Sequence, residues 1–312
     1  MQNRVPHILV GVLSVLVGTA RADYVCTQVD VPGSSFTQVW GGNNAGQFTA
    51  TSDVGAFIYS DGEWIREPPP PAEFSDALAL AINDFGVFAG GAFPADSSPE
   101  QAFYFSDGAY HFFSGGSEAF PNTEGRGINN AGILSVRLTP LDVSVNTGLG
   151  AIYNPGCSTL YPPGITVIEP PALPDGTLAR HTRPGQMNSA GRVVGSALYP
   201  RHGSYGFIHD PDGSTTLFLV NDLETFARGI NDLGDIVGAV SIDPVNSITI
   251  AFVRTSQGDQ TFDCPMLNAS GGVFAQSINN SGVITGQITD EVGTLHGFVA
   301  YAGEDARERR GK

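Results

Sequence analysis

A chain of 312 residues with only 15% charged residues, 40 glycines and 21 prolines is long enough for one large domain. Glycine and proline stay below the range of disordered, low-complexity chains, and the composition fits many short strands joined by many turns. A formal net charge of −16 excludes a surface built to hold nucleic acid or anionic lipid.

The chain opens with Arg4, an apolar stretch over Ile8–Val17 and the small-x-small step Ala20-Arg21-Ala22. This pattern predicts a secretory signal peptide over 1–22, too short to cross a membrane stably. Its removal would take Arg4 and Arg21 with it and leave the remainder still more acidic. No membrane span is expected after cleavage, and the expected location is extracellular or periplasmic. Residues 23–303 are expected to form a single domain, and 304–312 a charged tail. The cysteines are Cys26, Cys157 and Cys264. In an exported protein they allow one bridge and leave an odd thiol, with the pairing open.

From residue 41 onward one motif returns six times. Strong copies are Ala81-Ile82-Asn83-Asp84-Phe85-Gly86, Gly127-Ile128-Asn129-Asn130-Ala131-Gly132, Gly229-Ile230-Asn231-Asp232-Leu233-Gly234 and Ser277-Ile278-Asn279-Asn280-Ser281-Gly282. Weaker copies are Gly41-Gly42-Asn43-Asn44-Ala45-Gly46 and Gln186-Met187-Asn188-Ser189-Ala190-Gly191. Their last glycines stand 40, 46, 59, 43 and 48 residues apart. A period in this range marks a solenoid or a propeller.

Each unit reads as four strands, A to D. Strand A leads into the motif, whose asparagine can fold onto its own backbone and whose glycine accepts positive φ. Asn43, Gly46, Asn83, Gly86, Asn129, Gly132, Asn188, Gly191, Asn231, Gly234, Asn279 and Gly282 are therefore assigned to tight A–B turns. A β-branched or small-residue strand B follows, as in Asp235-Ile236-Val237-Gly238. Strand C carries a small residue and an aromatic: Ala56-Phe57, Ala102-Phe103, Gly206-Phe207, Ala251-Phe252 and Gly297-Phe298, with Ala151-Ile152 as the departure. Asp-Gly turns such as Asp61-Gly62 and Asp107-Gly108 then lead into strand D. Strand A alternates with period two and places small residues on one face (Ala79 and Ala81, Gly125 and Gly127, Ala227 and Gly229), as a crowded inner strand requires.

These motifs resemble the HAF-repeat family of bacterial extracellular proteins, which carries an Ile-Asn-(Asp/Asn)-x-Gly-x-(Ile/Val)-x-Gly segment and a downstream His-Ala-Phe-like triplet. Only His296-Gly297-Phe298 keeps the histidine of that triplet. The resemblance implies export and a repeated β architecture, and it implies no shared catalytic residues.

The last unit ends after its C strand, Gly297–Tyr301, and an extra strand, Tyr24–Val31, precedes the first. The expected fold is thus all-β, a six-bladed β-propeller whose N-terminal strand completes the last blade and hides its edge. An open β-solenoid is the alternative.

Short A–B turns on one face contrast with long B–C and D–A connections on the other, where function is expected. Two loops there hold ligand candidates: Tyr199, Arg201, His202 and Tyr205, and Arg180, His181 and Arg183. Aromatics with arginine stack on sugars and grip carboxylates. Arg126, Arg228 and Gln276 recur at one strand A position and are read as channel-lining or framework residues. No calcium loop, zincin, P-loop or nucleophile-elbow motif is present, so no catalytic residue, metal or cofactor is assigned. The expected role is a non-enzymatic binding or scaffold module at the cell exterior, its partner a glycan, an envelope component or a protein. The alternative is a propeller hydrolase or lyase acting on extracellular polysaccharide.

Overall fold

In a computed structural model, residues 24–303 are described apart from 114–116, 143–146, 268 and 270. The assigned signal peptide and C-terminal tail lie outside the described residues. Six four-stranded antiparallel sheets stand in a ring as a six-bladed β-propeller. Blade one comprises β2 (Thr37–Gly42), β3 (Phe48–Ser52), β4 (Gly55–Ser60) and β5 (Glu63–Arg66). Blade two comprises β6 (Phe74–Ile82), β7 (Phe88–Pro94), β8 (Gln101–Ser106) and β9 (Ala109–Phe113). Blade three comprises β10 (Asn122–Ile128), β11 (Leu134–Thr139), β12 (Leu149–Asn154) and β13 (Gly164–Ile168). Blade four comprises β14 (His181–Met187), β15 (Val193–Tyr199), β16 (Gly203–His209) and β17 (Thr215–Phe218). Blade five comprises β18 (Thr225–Ile230), β19 (Ile236–Asp243), β20 (Ile248–Thr255) and β21 (Gly258–Phe262). Blade six takes β22 (Gly272–Ile278), β23 (Ile284–Thr289) and β24 (Leu295–Ala302), and its outer strand is β1 (Tyr24–Gln28).

That outer strand closes the ring. Tyr24 pairs with Ala302, and the antiparallel register runs on to Gln28 opposite Phe298. Pairing removes the free edge that the last blade would otherwise present. A Cys26–Cys264 disulfide ties this strand to the segment after blade five, and Cys157 remains a free, exposed thiol. The pairing left open by the sequence is thereby decided, because closure brings residues 238 positions apart into contact.

Apolar clusters fill the spaces between blades. One joins Val237, Val253 and Phe262 of blade five to Ile284, Ile288 and Phe298 of blade six. Another joins Ile133, Ile152 and Ile168 of blade three to Val193, Ala197 and Phe207 of blade four. The strand C aromatics Phe103, Phe207, Phe252 and Phe298, and Ile152 in the third copy, are fully buried there. Burying such a side chain contributes about 1.5–3 kcal/mol, so each interface is held mainly by these residues.

The A–B turns do more than reverse the chain. Each motif asparagine accepts at Oδ1 from the backbone four residues on, as Val87 N to Asn83 (3.0 Å) and Asp235 N to Asn231 (2.8 Å). Each motif glycine sits at positive φ, between 72° and 84°. The asparagine Nδ2 then donates to the backbone carbonyl of the matching asparagine in the next blade. The chain of donors runs Asn43 to Asn83 (2.8 Å), Asn83 to Asn129 (3.1 Å), Asn129 to Asn188 (3.4 Å), Asn188 to Asn231 (3.2 Å), Asn231 to Asn279 (3.1 Å) and Asn279 back to Asn43 (3.5 Å). Six side chains thus form a closed hydrogen-bonded circuit around the axis. The following residues form a second, outer set: Asp84 N donates to Asn130, Asp232 N to Asn280 and Asn280 N to Asn44. The carboxylates of Asp84 and Asp232 are engaged as acceptors in this set.

Candidate functional site at the wide mouth of the axial channel

Strand A of every blade skips one register position at its centre, between Val39 and Gly42, Ala79 and Ala81, Gly125 and Gly127, Pro184 and Met187, Ala227 and Gly229, and Ala275 and Ser277. A bulge re-aims the unpaired side chain. Trp40, Leu80, Arg126, Gln186, Arg228 and Gln276 consequently gather around a void of only about 10 Å³. Arg126 lies over the Trp40 ring at 5.4 Å, reaching from blade three to blade one. The channel is plugged at this level, so a ligand entering from either face meets a floor. Arg126, Arg228 and Gln276 are the recurrent strand A residues picked out from the sequence, and they form part of that plug.

Above the plug, on the face of the B–C and D–A connections, a cavity of about 610 Å³ opens between blades four, five and six. Its wall includes Arg183, Phe226 and Phe274, each five positions before the motif asparagine of its own blade. Phe226 and Phe274 lie with ring centroids 6.3 Å apart. Arg228 rises beneath them, its guanidinium 5.3 Å from the Phe274 centroid, and donates to Ser196 Oγ (3.3 Å) and Ala227 O (3.1 Å). Glu224 is the one carboxylate on the cavity wall and accepts from Ser204 N at 3.3 Å.

The mouth is electropositive although the protein is acidic. Glu124 on β10 pairs with Arg126 at 3.1 Å and with Arg137 at 3.8 Å. Burial alone would raise its carboxyl, but Arg126, Arg137 and Arg183 together hold it below its ordinary range. Glu100, from the B–C connection of blade two, meets Glu124 over Gly91, where any Cβ would collide with the Glu100 carboxylate. Burial, and then the charge of Glu124, push Glu100 up to about 8, so it is mostly protonated at neutral pH. Four guanidiniums, those of Arg126, Arg137, Arg183 and Arg228, are therefore set against the two carboxylates of Glu124 and Glu224.

Arg183 carries the imbalance. The neighbouring Arg126 charge first, and burial second, pull it down to about 9. Its Nε is buried without an acceptor, and its side chain makes no hydrogen bond or ion pair with a described residue. Gln287 Oε1, on the opposite wall, is a buried acceptor without a donor.

The residues singled out from the sequence separate into two groups. His181 and Arg183 line the cavity, while Arg180 is exposed and donates its backbone N–H to Leu198 O (2.8 Å). The Tyr199–Tyr205 segment is not the long loop expected. Strands β15 and β16 run through to Tyr199 and Gly203, leaving a tight hairpin with Arg201 at φ 69°. Alternation then turns Tyr199 and Tyr205 into the cluster between blades three and four and turns Leu198 and Ser204 toward the cavity. Tyr199 is fully buried, and its hydroxyl donates to Pro171 O at 2.7 Å, which removes it as a ligand contact. Arg201 and His202 are exposed at the hairpin tip, and His202 pairs with Asp175 at 2.9 Å. Phe226, Phe274, Gln287 and Glu224 were not singled out. Aligning the strands on the motif asparagine would have found the two phenylalanines, since Glu124, Arg183, Phe226 and Phe274 each precede it by five residues.

No family model matches the chain, and no curated protein matches it. Among solved structures it is similar to a putative gluconolactonase (12% identity, 91% of this chain and 97% of that one, TM-score 0.49). It is similar also to a mutant of the Aleuria aurantia lectin in complex with Fucα1-6GlcNAc (10% identity, 87% and 94%, TM-score 0.48) and to a streptogramin B lyase (10% identity, 89% and 98%, TM-score 0.45).

Proposed function

We propose that this protein is a binding module of the cell exterior whose ligand seats in the cavity at the wide mouth of the channel. The observation that carries this reading is the closed floor. The plug of Trp40, Leu80, Arg126, Gln186, Arg228 and Gln276 converts the channel mouth into a dead-end cup with an aromatic wall and a polar rim, the usual form of a small-molecule or glycan subsite. The disulfide is compatible with an oxidising, extracellular location, and no described helix is long and apolar enough to cross a membrane. The reading keeps the chain within the HAF-repeat family that its motif resembles. Binding of the labelled full chain to a glycan array, repeated with Ser241→Trp to fill the cavity, tests the proposal. Retention on the same glycans by the filled variant would refute it.

A second reading, a polysaccharide hydrolase or lyase, has one observation in its favour. Glu100 and Glu124 adjoin each other with carboxyl affinities for the proton driven in opposite directions, the arrangement that separates an acid from a base. Binding is preferred because Glu124 is clamped by two arginines and the cavity wall itself holds a single carboxylate. Release of reducing ends from polysaccharide, lost in Glu100→Gln, would reverse that preference.

A further inference from the structure

We infer that the ligand of this cavity is an acidic sugar, its carboxylate held by Arg183; the inference rests on the cavity being the binding site. Arg183 is half-buried and borders the open cavity, and its Nε is buried with no acceptor. A guanidinium N–H removed from water without an acceptor is destabilising. The nearby anion that could have satisfied it, Glu124, is directed instead to Arg126 and Arg137. The missing acceptor must enter from the cavity, and the planar fork of arginine is matched by a carboxylate.

The other walls specify the remainder of the ligand. Gln287 presents a buried carbonyl oxygen that lacks a donor, so the ligand brings hydroxyl groups as well as the anion. Phe226 and Phe274 provide two adjacent ring surfaces, and Arg228 occupies the neighbourhood of the second. An anion, a donor hydroxyl and an apolar face on one molecule describe a uronic-acid-type sugar. A bare inorganic anion would leave Gln287 and the phenylalanines unserved. A neutral sugar would leave Arg183 unpaired. The acidic surface does not oppose this, since at the mouth four guanidiniums outnumber the two carboxylates of Glu124 and Glu224.

The test is calorimetric titration of the full chain with trigalacturonate and with trigalactose, for wild type, Arg183→Gln, Arg183→Lys and Ser241→Trp. Trigalacturonate is expected to bind more tightly than trigalactose by about tenfold to a hundredfold, the value of one charge-assisted pair. Arg183→Gln should remove that advantage, Arg183→Lys should restore part of it, and added salt should reduce it. Arg183→Gln should also melt no lower than wild type, because it removes an unpaired buried charge, and this separates lost recognition from lost folding. Equal affinity for the two sugars, or an advantage that survives Arg183→Gln, overturns the acidic-sugar assignment. If Ser241→Trp still abolishes binding in that case, the cavity reading stands without it. Binding that Ser241→Trp leaves intact overturns both. Absence of binding to trigalacturonate up to about 1 mM, the weak end of specific affinity, also overturns the assignment.

Discussion

Reducing the Cys26–Cys264 bridge should loosen the whole ring, because that bridge secures the one place where the circle was closed by bringing distant chain ends together. The bridged cysteines are 238 residues apart, so the closed loop spans most of the chain. The chain-entropy relation for a loop of that size gives about 18 cal/mol/K, or about 5.5 kcal/mol at 25 °C. Without the bridge, β1 would be held by its ladder from Tyr24 to Gln28 against β24 and by contacts such as the Tyr24–Phe262 ring pair at 4.3 Å. Such a short outer strand has little to retain it, so its detachment should precede global unfolding. The assay is guanidinium denaturation of wild type and of Cys26→Ser/Cys264→Ser, with hydrogen exchange followed by mass spectrometry across 24–31 and 295–302. The expected result is a lower midpoint together with early exchange in both segments. Cys157→Ser, which alters an exposed free thiol, should match wild type. Equal midpoints and equal protection in the bridge-less variant would refute the view that closure is the weak point of the ring.

The asparagine circuit makes two roles separable. Asn231→Ala removes both the turn acceptor for Asp235 N and the donor to Asn279 O and should cost about 2–3 kcal/mol, whereas Asn231→Asp keeps the acceptor and should cost less. Equal losses in chemical denaturation would show that the turn acceptor contributes nothing, and an Asn231→Asp variant as stable as wild type would show the same of the inter-blade bond. Glu67, buried with neither carboxylate oxygen hydrogen-bonded to a side chain, is raised by burial from 4.5 to about 8. A folded-state value above the unfolded one means that the native protein holds the proton longer, so stability should fall as pH rises from about 4.5 to 8, by about 5 kcal/mol in all. Glu67→Gln should flatten the melting-temperature profile across that window, and parallel wild-type and variant profiles would exclude Glu67 as the cause. Raising the pH from 7 to 9 should also ionise Glu100 beside Glu124 and weaken the pull of the mouth on anions, which titration of trigalacturonate at the two pH values measures.

How much was legible beforehand depended on the range of the interaction. The Asn-x-x-Gly turns could be read because their chemistry is complete within five residues, as the Asn83–Val87 bonds show. The Asp-Gly hairpins were equally local, with Asp61 and Gly62 both at positive φ. The Tyr199–Tyr205 loop was misread because one tight hairpin turned an apparent connection into paired strand, and alternation reversed which side chains faced outward. Arg183 was found for its residue type, but its lack of a partner could not be seen from its neighbours in the chain.

The sequence by itself determined that there are six units, how each reverses direction, and that the leading strand supplies what the final unit lacks. Those properties follow from local turn chemistry and from counting strands. Only the tertiary structure decided that Cys26 meets Cys264, that the six asparagines join head to tail, and that one arginine is left facing a cavity without an acceptor. Each of these depends on distances across the ring axis or across its seam, between residues that no local pattern relates.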